Sequence, residues 1–120
     1  MKNKKIAVVG VSKNPSKYGY RIFNDLLNNG YAVYGVNINN GELFGQKLYR
    51  SLEEIPEKID IAIMVVPPEV TKNVLQECHL LGINEVWMQP GSESIEAINI
   101  AKSYRIKYHT SCFMVDHGIW

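Results

Sequence analysis

Val8-Val9-Gly10-Val11-Ser12-Lys13-Asn14-Pro15-Ser16-Lys17-Tyr18-Gly19-Tyr20 joins a short apolar strand to an amphipathic helix, and the rest of the chain is read outward from it. Before the turn, Ile6, Ala7, Val8 and Val9 form a continuous apolar run, the pattern of a strand buried on both faces. After it, Ile22, Phe23, Leu26 and Leu27 fall on one helical face. Gly10 can take backbone angles closed to other residues and permits close approach, and Ser12 adds a short hydroxyl. The first amides of the helix have no partner within it, which makes the turn a candidate anion site. Lys13, Lys17 and Arg21 crowd the positive end of the helix dipole, where each cation is unfavourable by about 0.3–1 kcal/mol at low salt. A bound anion would offset that repulsion; three solvated side chains on a surface loop are the plainer reading.

The chain has 120 residues, 46% hydrophobic and 21% charged, enough for one domain spanning 1–120 with one buried interior. Thirteen basic against twelve acidic residues leave a net charge of +1, which argues against a general nucleic-acid binder. The apolar run Ile61–Val66 is far too short to span a membrane, and the basic Met1–Lys5 is followed by too short an apolar stretch for a signal peptide. Cys78 and Cys112 follow no metal-ligand spacing, so a reducing cytoplasm is the expected setting.

Along the chain, Asn28-Asn29-Gly30 ends the first helix with Gly30 at the left-handed cap, and Ala32–Val36 makes a second strand. At its exit stands Asn37-Ile38-Asn39, where a dinucleotide-binding fold carries an acidic residue for the ribose diol. Gly41–Tyr49 reads as a loop or small hairpin, and Ser51-Leu52-Glu53-Glu54 as a capping box opening a short helix; both are read as connection rather than chemistry. Ile61–Val66 is the third strand, ended by Pro67-Pro68, which is either a rigid wall for a ligand or the first turn of the next helix. That helix carries Val70, Val74, Leu75, Cys78 and Leu81 on one face and is closed by Gly82, so Cys78 reads as interior. Glu85–Met88 is a fourth strand, Gln89-Pro90-Gly91 its exit, Ser92 the cap of the following helix, and Ile106–Tyr108 a fifth strand.

Strand and helix alternate throughout. The expected architecture is therefore α/β, a Rossmann-like three-layer sandwich around a parallel sheet of about five strands in the order 3-2-1-4-5. The turn at Gly10, the Asn37 exit, the Val66-Pro67 exit and Gln89–Gly91 all fall at the carboxyl edge, where such sheets bind ligands.

These residues resemble a family. Gly10-Val11-Ser12 with Pro15, Lys17 and Tyr20, then Val36-Asn37, Tyr49-Arg50-Ser51-Leu52 with Ile55-Pro56, Val66-Pro67-Pro68, Trp87-Met88-Gln89-Pro90-Gly91, and Cys112-Phe113-Met114 with His117 occur in the order seen in stand-alone CoA-binding proteins. Their single domain is similar to the first domain of ADP-forming acyl-CoA synthetases and of the succinyl-CoA synthetase alpha subunit. The resemblance implies a cofactor-binding set of Gly10, Val11, Ser12, Lys17, Tyr18, Asn37, Val66 and Pro67. In it the turn meets phosphate, Lys17 serves as counter-charge, Asn37 lies by the adenosine, and Val66-Pro67 flanks the ligand. This chain has Asn37-Ile38 where the family often has Asn-Pro. CoA fits the residues on independent grounds: it brings phosphates to the lysines and, with its 3′-phosphate, has no adenosine ribose diol requiring a carboxylate. NADP would also suit the lysines.

Cys112, with His109, His117 and Asp116 near it in sequence, is the one candidate for a nucleophile, and it needs those partners to converge in space. A buried thiol with surface histidines is the plainer reading, and no metal site is expected. The sequence thus points to a cytoplasmic module that binds CoA or acyl-CoA without catalysis of its own, with a separate protein partner possible in acyl-transfer chemistry. The alternatives are an NADP-dependent reductase or redox sensor using the same turn, and an interaction domain with an empty crevice.

Overall fold

The computed structural model describes residues 3–120. Strand β1 (Lys5–Val9) runs down the middle of the sheet, and its alternating side chains divide the interior in two. Ala7 and Val9 enter one core, with Leu75 and Cys78 of α2 (Pro68–Leu81) and Ala97 and Ala101 of α3 (Ile95–Ser103). Ile6 and Val8 enter the other, with Ile22, Phe23 and Leu26 of α1 (Tyr18–Asn28) and Phe113 and Met114 of the short α4 (Phe113–Asp116). Apolar side chains on both faces of β1 are what a central parallel strand requires, and helices cover both.

On one side β1 pairs in parallel with β2 (Ala32–Val36), on the other with β5 (Ile61–Met64). Beyond β5 follow β6 (Glu85–Met88) and β7 (Lys107–His109), both parallel. The expected order is corrected on the β2 side. The stretch read as connection folds into an antiparallel hairpin, β3 (Gly41–Leu43) and β4 (Gln46–Tyr49), and β4 pairs in parallel with the outer edge of β2. The sheet therefore has seven strands in the order β3-β4-β2-β1-β5-β6-β7. The hairpin reverses the chain twice within a few residues, so β4 fills the place beside β2 that 3-2-1-4-5 gave to Ile61–Val66. The next strand must then cross to the free side of β1. The change of winding direction lies between β1 and β5.

Two local expectations also change. Ser51 precedes a 3-10 turn (Leu52–Glu54) but its hydroxyl caps nothing; the Glu54 carboxylate instead accepts the Arg50 amide at 3.4 Å, so the capping box is not formed. Helix α3 is capped by Ser94, whose hydroxyl accepts the Ala97 amide at 3.0 Å, while Ser92 accepts the Val66 amide at 3.0 Å and ties the β5 exit to the β6 exit. Gly30 (φ +81) and Gly82 (φ +74) follow their helices in the left-handed conformation, as read from the sequence. Trp120 closes the chain over α1, donating its indole N–H to Asp25 at 2.7 Å beneath the Arg21 guanidinium. Among the described residues no helix is long and apolar enough to cross a membrane.

Burial separates the two cysteines. Cys78 is wholly enclosed, and desolvation pushes its thiol up to about 12. The unfolded thiol ionises near its ordinary value of roughly 8.5, so the folded state holds a proton that the unfolded state releases between these values. Stability is then complete below about pH 8.5 and falls as pH rises toward 12. Thiol titration of the native protein is expected to modify the half-buried Cys112 and to reach Cys78 only in denaturant; equal labelling rates would contradict the burial described.

Candidate functional site

The parallel register sets the site. Tyr49 lies opposite Val36, Val36 opposite Val9, Val9 opposite Met64, and Met64 opposite Met88. The first residues beyond this level row are Arg50, Asn37, Gly10, Val65 and Gln89. Backbone bonds carry the row one step further: the amides of Asn37, Gly10, Val65 and Gln89 donate to Tyr49, Val36, Val9 and Met64 at 2.8, 3.1, 2.8 and 3.1 Å. Five strand exits thus form one rim at the carboxyl edge.

Gly10 has φ +107, and a side chain there would overlap the Val65 carbonyl and the Val66 side chain. Gly19, in the first turn of α1, faces the Gly10 carbonyl from the other side, again with no room for a Cβ. The β1–α1 turn is thus clamped between β5 and α1. Within it the Gly10 and Val11 amides both donate to Val36 at 3.1 Å, and the Ser12 hydroxyl accepts the Asn14 amide at 3.0 Å. The amides of Ser12 and Lys13 find no acceptor among the described residues.

Beside this turn opens a cleft of about 400 Å³. Gly10, Val11 and Ser12 line it with Asn37, Ile38 and Asn39 at one end, and Val66 and Pro67 form its wall with Val70 and Val74 of α2. Pro67 is also the residue that precedes helix α2, and Pro68 occupies its first turn, as the helix-start reading of Pro67-Pro68 expected. Arg50, Ser51 and Glu77 complete the lining. Of the proposed set, Gly10, Val11, Ser12, Asn37, Val66 and Pro67 are brought together here. Lys17 and Tyr18 do not line this cleft: Lys17 is the exposed residue before α1, and Tyr18 borders a second pocket.

Asn37 is held from three directions. Its side-chain amide donates to the Val11 carbonyl at 2.8 Å, its side-chain oxygen accepts the Asn39 amide at 2.7 Å, and its backbone amide is bound to Tyr49. An asparagine here fixes the loop to the turn, a task that needs both a donor and an acceptor and that a carboxylate cannot perform. Sequence reading missed Arg50, Ser51 and Glu77, because the stretch that delivers the first two was read as connection. The signal available was the pairing capacity of Gln46–Tyr49 next to a strand with an open edge.

The second pocket, about 410 Å³, lies by Tyr18, Val65, Gln89, Pro90, Cys112, Val115 and Trp120. The buried Gln89 organises it, donating its side-chain amide to the Cys112 sulfur at 3.3 Å and accepting the Phe113 amide at 2.8 Å. The groups named with Cys112 from sequence do not converge on it. His109 lies 2.9 Å from the Glu85 carboxylate and stacks on Trp87; His117 donates from Nδ1 to the Phe113 carbonyl at 2.8 Å; Asp116 accepts the Ser111 hydroxyl at 2.6 Å. No group of three or more His, Cys, Asp or Glu able to hold a metal occurs among the described residues.

Substituting Gly19 by Ala is expected to destabilise the protein by about 1–3 kcal/mol, since the new methyl must push the turn off α1. Urea denaturation measures this, and an unchanged midpoint would show that the turn is not clamped there.

Comparison with known proteins agrees with this geometry. Residues 4–118 match the model of the CoA binding domain family. The alpha subunit of an ADP-forming acetate–CoA ligase from Pyrococcus furiosus is 44% identical over 82 residues, covering 68% of this chain and 18% of that subunit. The chain spans less than a fifth of the length of such ligases. Among solved structures, a conserved hypothetical protein of Pyrococcus furiosus superposes with TM-score 0.88 at 43% identity, covering 94% of this chain and 98% of the other. A dinucleotide-forming acetyl-coenzyme A synthetase of Candidatus Korarchaeum cryptofilum, in complex with phosphate and ADP, gives TM-score 0.78 at 32% identity, covering 90% of this chain and 25% of that one. The chain belongs to the CoA-binding domain family and is homologous to the corresponding region of ADP-forming acyl-CoA synthetases.

Proposed function

We propose that this protein binds CoA or an acyl-CoA non-covalently in the cleft beside Gly10, as a recognition module without catalytic steps of its own. The observation that carries the reading is the meeting of a clamped glycine turn, two unengaged amides and an apolar wall at the sheet's carboxyl edge. The amides of Ser12 and Lys13 are fixed before any ligand arrives, so donating them to a phosphate oxygen needs little reorganisation. Val66, Pro67 and the 83%-exposed Ile38 offer apolar surface to an adenine or pantetheine segment. Lys13 and Lys17 add positive potential at the rim, outside the cleft. The family membership supports CoA over NADP. The much greater length of the ligase relatives supports a separate partner polypeptide if the bound acyl-CoA takes part in acyl transfer.

Isothermal titration of the reduced protein with CoA, NADP and ADP in one buffer tests the reading. Micromolar CoA binding, a free energy of about −8 kcal/mol, with NADP and ADP weaker, is the expected result. Binding of NADP without CoA would transfer the site to a nicotinamide cofactor. Lys17→Ala is expected to lower the salt dependence of CoA binding, because a rim cation acts through a screened potential; identical affinities across ionic strengths would remove Lys17 from the site.

A further inference from the structure

We infer that Arg50 reads the ribose 3′-phosphate and thereby separates CoA from its 3′-dephospho form; this rests on the CoA reading above. The register of β4 against β2 sets Tyr49 opposite Val36, and the Asn37 amide donates to the Tyr49 carbonyl at 2.8 Å. Arg50 therefore stands next to Asn37 at the exit of the second strand. In dinucleotide-binding parallel sheets this exit meets the adenosine ribose, and an arginine nearby accommodates the 2′-phosphate of NADP; a 3′-phosphate on the same ribose makes a like demand.

The electrostatics single out the same residue. Arg50 and Glu77 are the charged side chains lining the cleft, so Arg50 is its one cation among the described residues. Its guanidinium enters no ion pair and donates to no protein acceptor among them, although Glu53, Glu54 and Glu77 are all close in the fold. Two of those carboxylates face backbone amides instead: Glu54 accepts the Arg50 amide, and Glu77 accepts the Glu53 amide at 3.2 Å. The backbone of Arg50 is thus held while its five N–H donors remain open, in a fork that matches two phosphate oxygens at once. Lys13 and Lys17 stand outside the lining of the cleft, Lys13 with its ammonium beside Gly41, and Asn37, whose amide is already tied to Val11, supplies no charge.

The test is calorimetric titration of the wild-type protein, Arg50→Ala and Arg50→Lys with CoA and with 3′-dephospho-CoA. The wild type is expected to bind CoA about 10- to 100-fold more tightly than the dephospho form, the range of a charge-assisted contact. In Arg50→Ala the two ligands are expected within about threefold of each other, the loss of affinity falling mainly on CoA. Arg50→Lys should recover part of the preference, as a point charge replaces the fork. An unchanged urea midpoint is the control for folding, since Arg50 is exposed and its truncation removes no core contact. Equal binding of both ligands by the wild type overturns the role of Arg50 and leaves the CoA reading standing. A preference that survives in Arg50→Ala overturns it likewise. No binding of either ligand by the wild type removes the CoA reading itself.

Discussion

The close approach of Gly10 and Gly19 is the constraint on which the site depends. With no Cβ on either residue, the turn after β1 drops onto α1 on one side and against the Val65 carbonyl on the other. The Val36 carbonyl takes the amides of Gly10 and Val11, so the turn's own backbone hydrogen bonds fix where the next two amides stand. Preorganised donors of this kind lose little entropy on binding, which is why a glycine-based turn serves anions better than flexible lysines do.

The level strand ends convert this local geometry into a cleft. Because β4, β2, β1, β5 and β6 are parallel and in register, their exits share one edge, and residues as distant in sequence as Arg50, Asn37, Gly10 and Val65 become neighbours. The change of winding direction between β1 and β5 leaves the gap above them open, since connecting segments leave in opposite directions from that point. The two charged side chains at the lining, Arg50 and Glu77, come from different elements, one from the residue after β4 and one from α2.

The carboxyl-terminal segment has a different task. Gln89 joins Cys112 and Phe113 to the β6 exit, and Trp120 fastens the end of the chain to Asp25 of α1. The histidines are spent on the same packing, His109 on Trp87 and Glu85 and His117 on Phe113. Side chains that look reactive in sequence are here parts of an aromatic layer over the second core.

Sequence alone determined the alternation of strands and helices, the two-faced burial of β1, the glycine turn that joins β1 to α1, the interior position of Cys78 and the family. These follow from local chemistry: apolar periodicity, glycine's backbone freedom and short motifs act within a few residues of one another. Tertiary structure alone decided the sheet order, the role of Gln46–Tyr49, the presence of Arg50 and Glu77 in the cleft, the displacement of Lys17 and Tyr18 from it, and the scattering of the groups around Cys112. Each of these depends on strand pairing or on side-chain direction across long sequence separations. A four-residue strand such as β4 carries too few residues to show a period, and only the open edge of β2 gives it a partner.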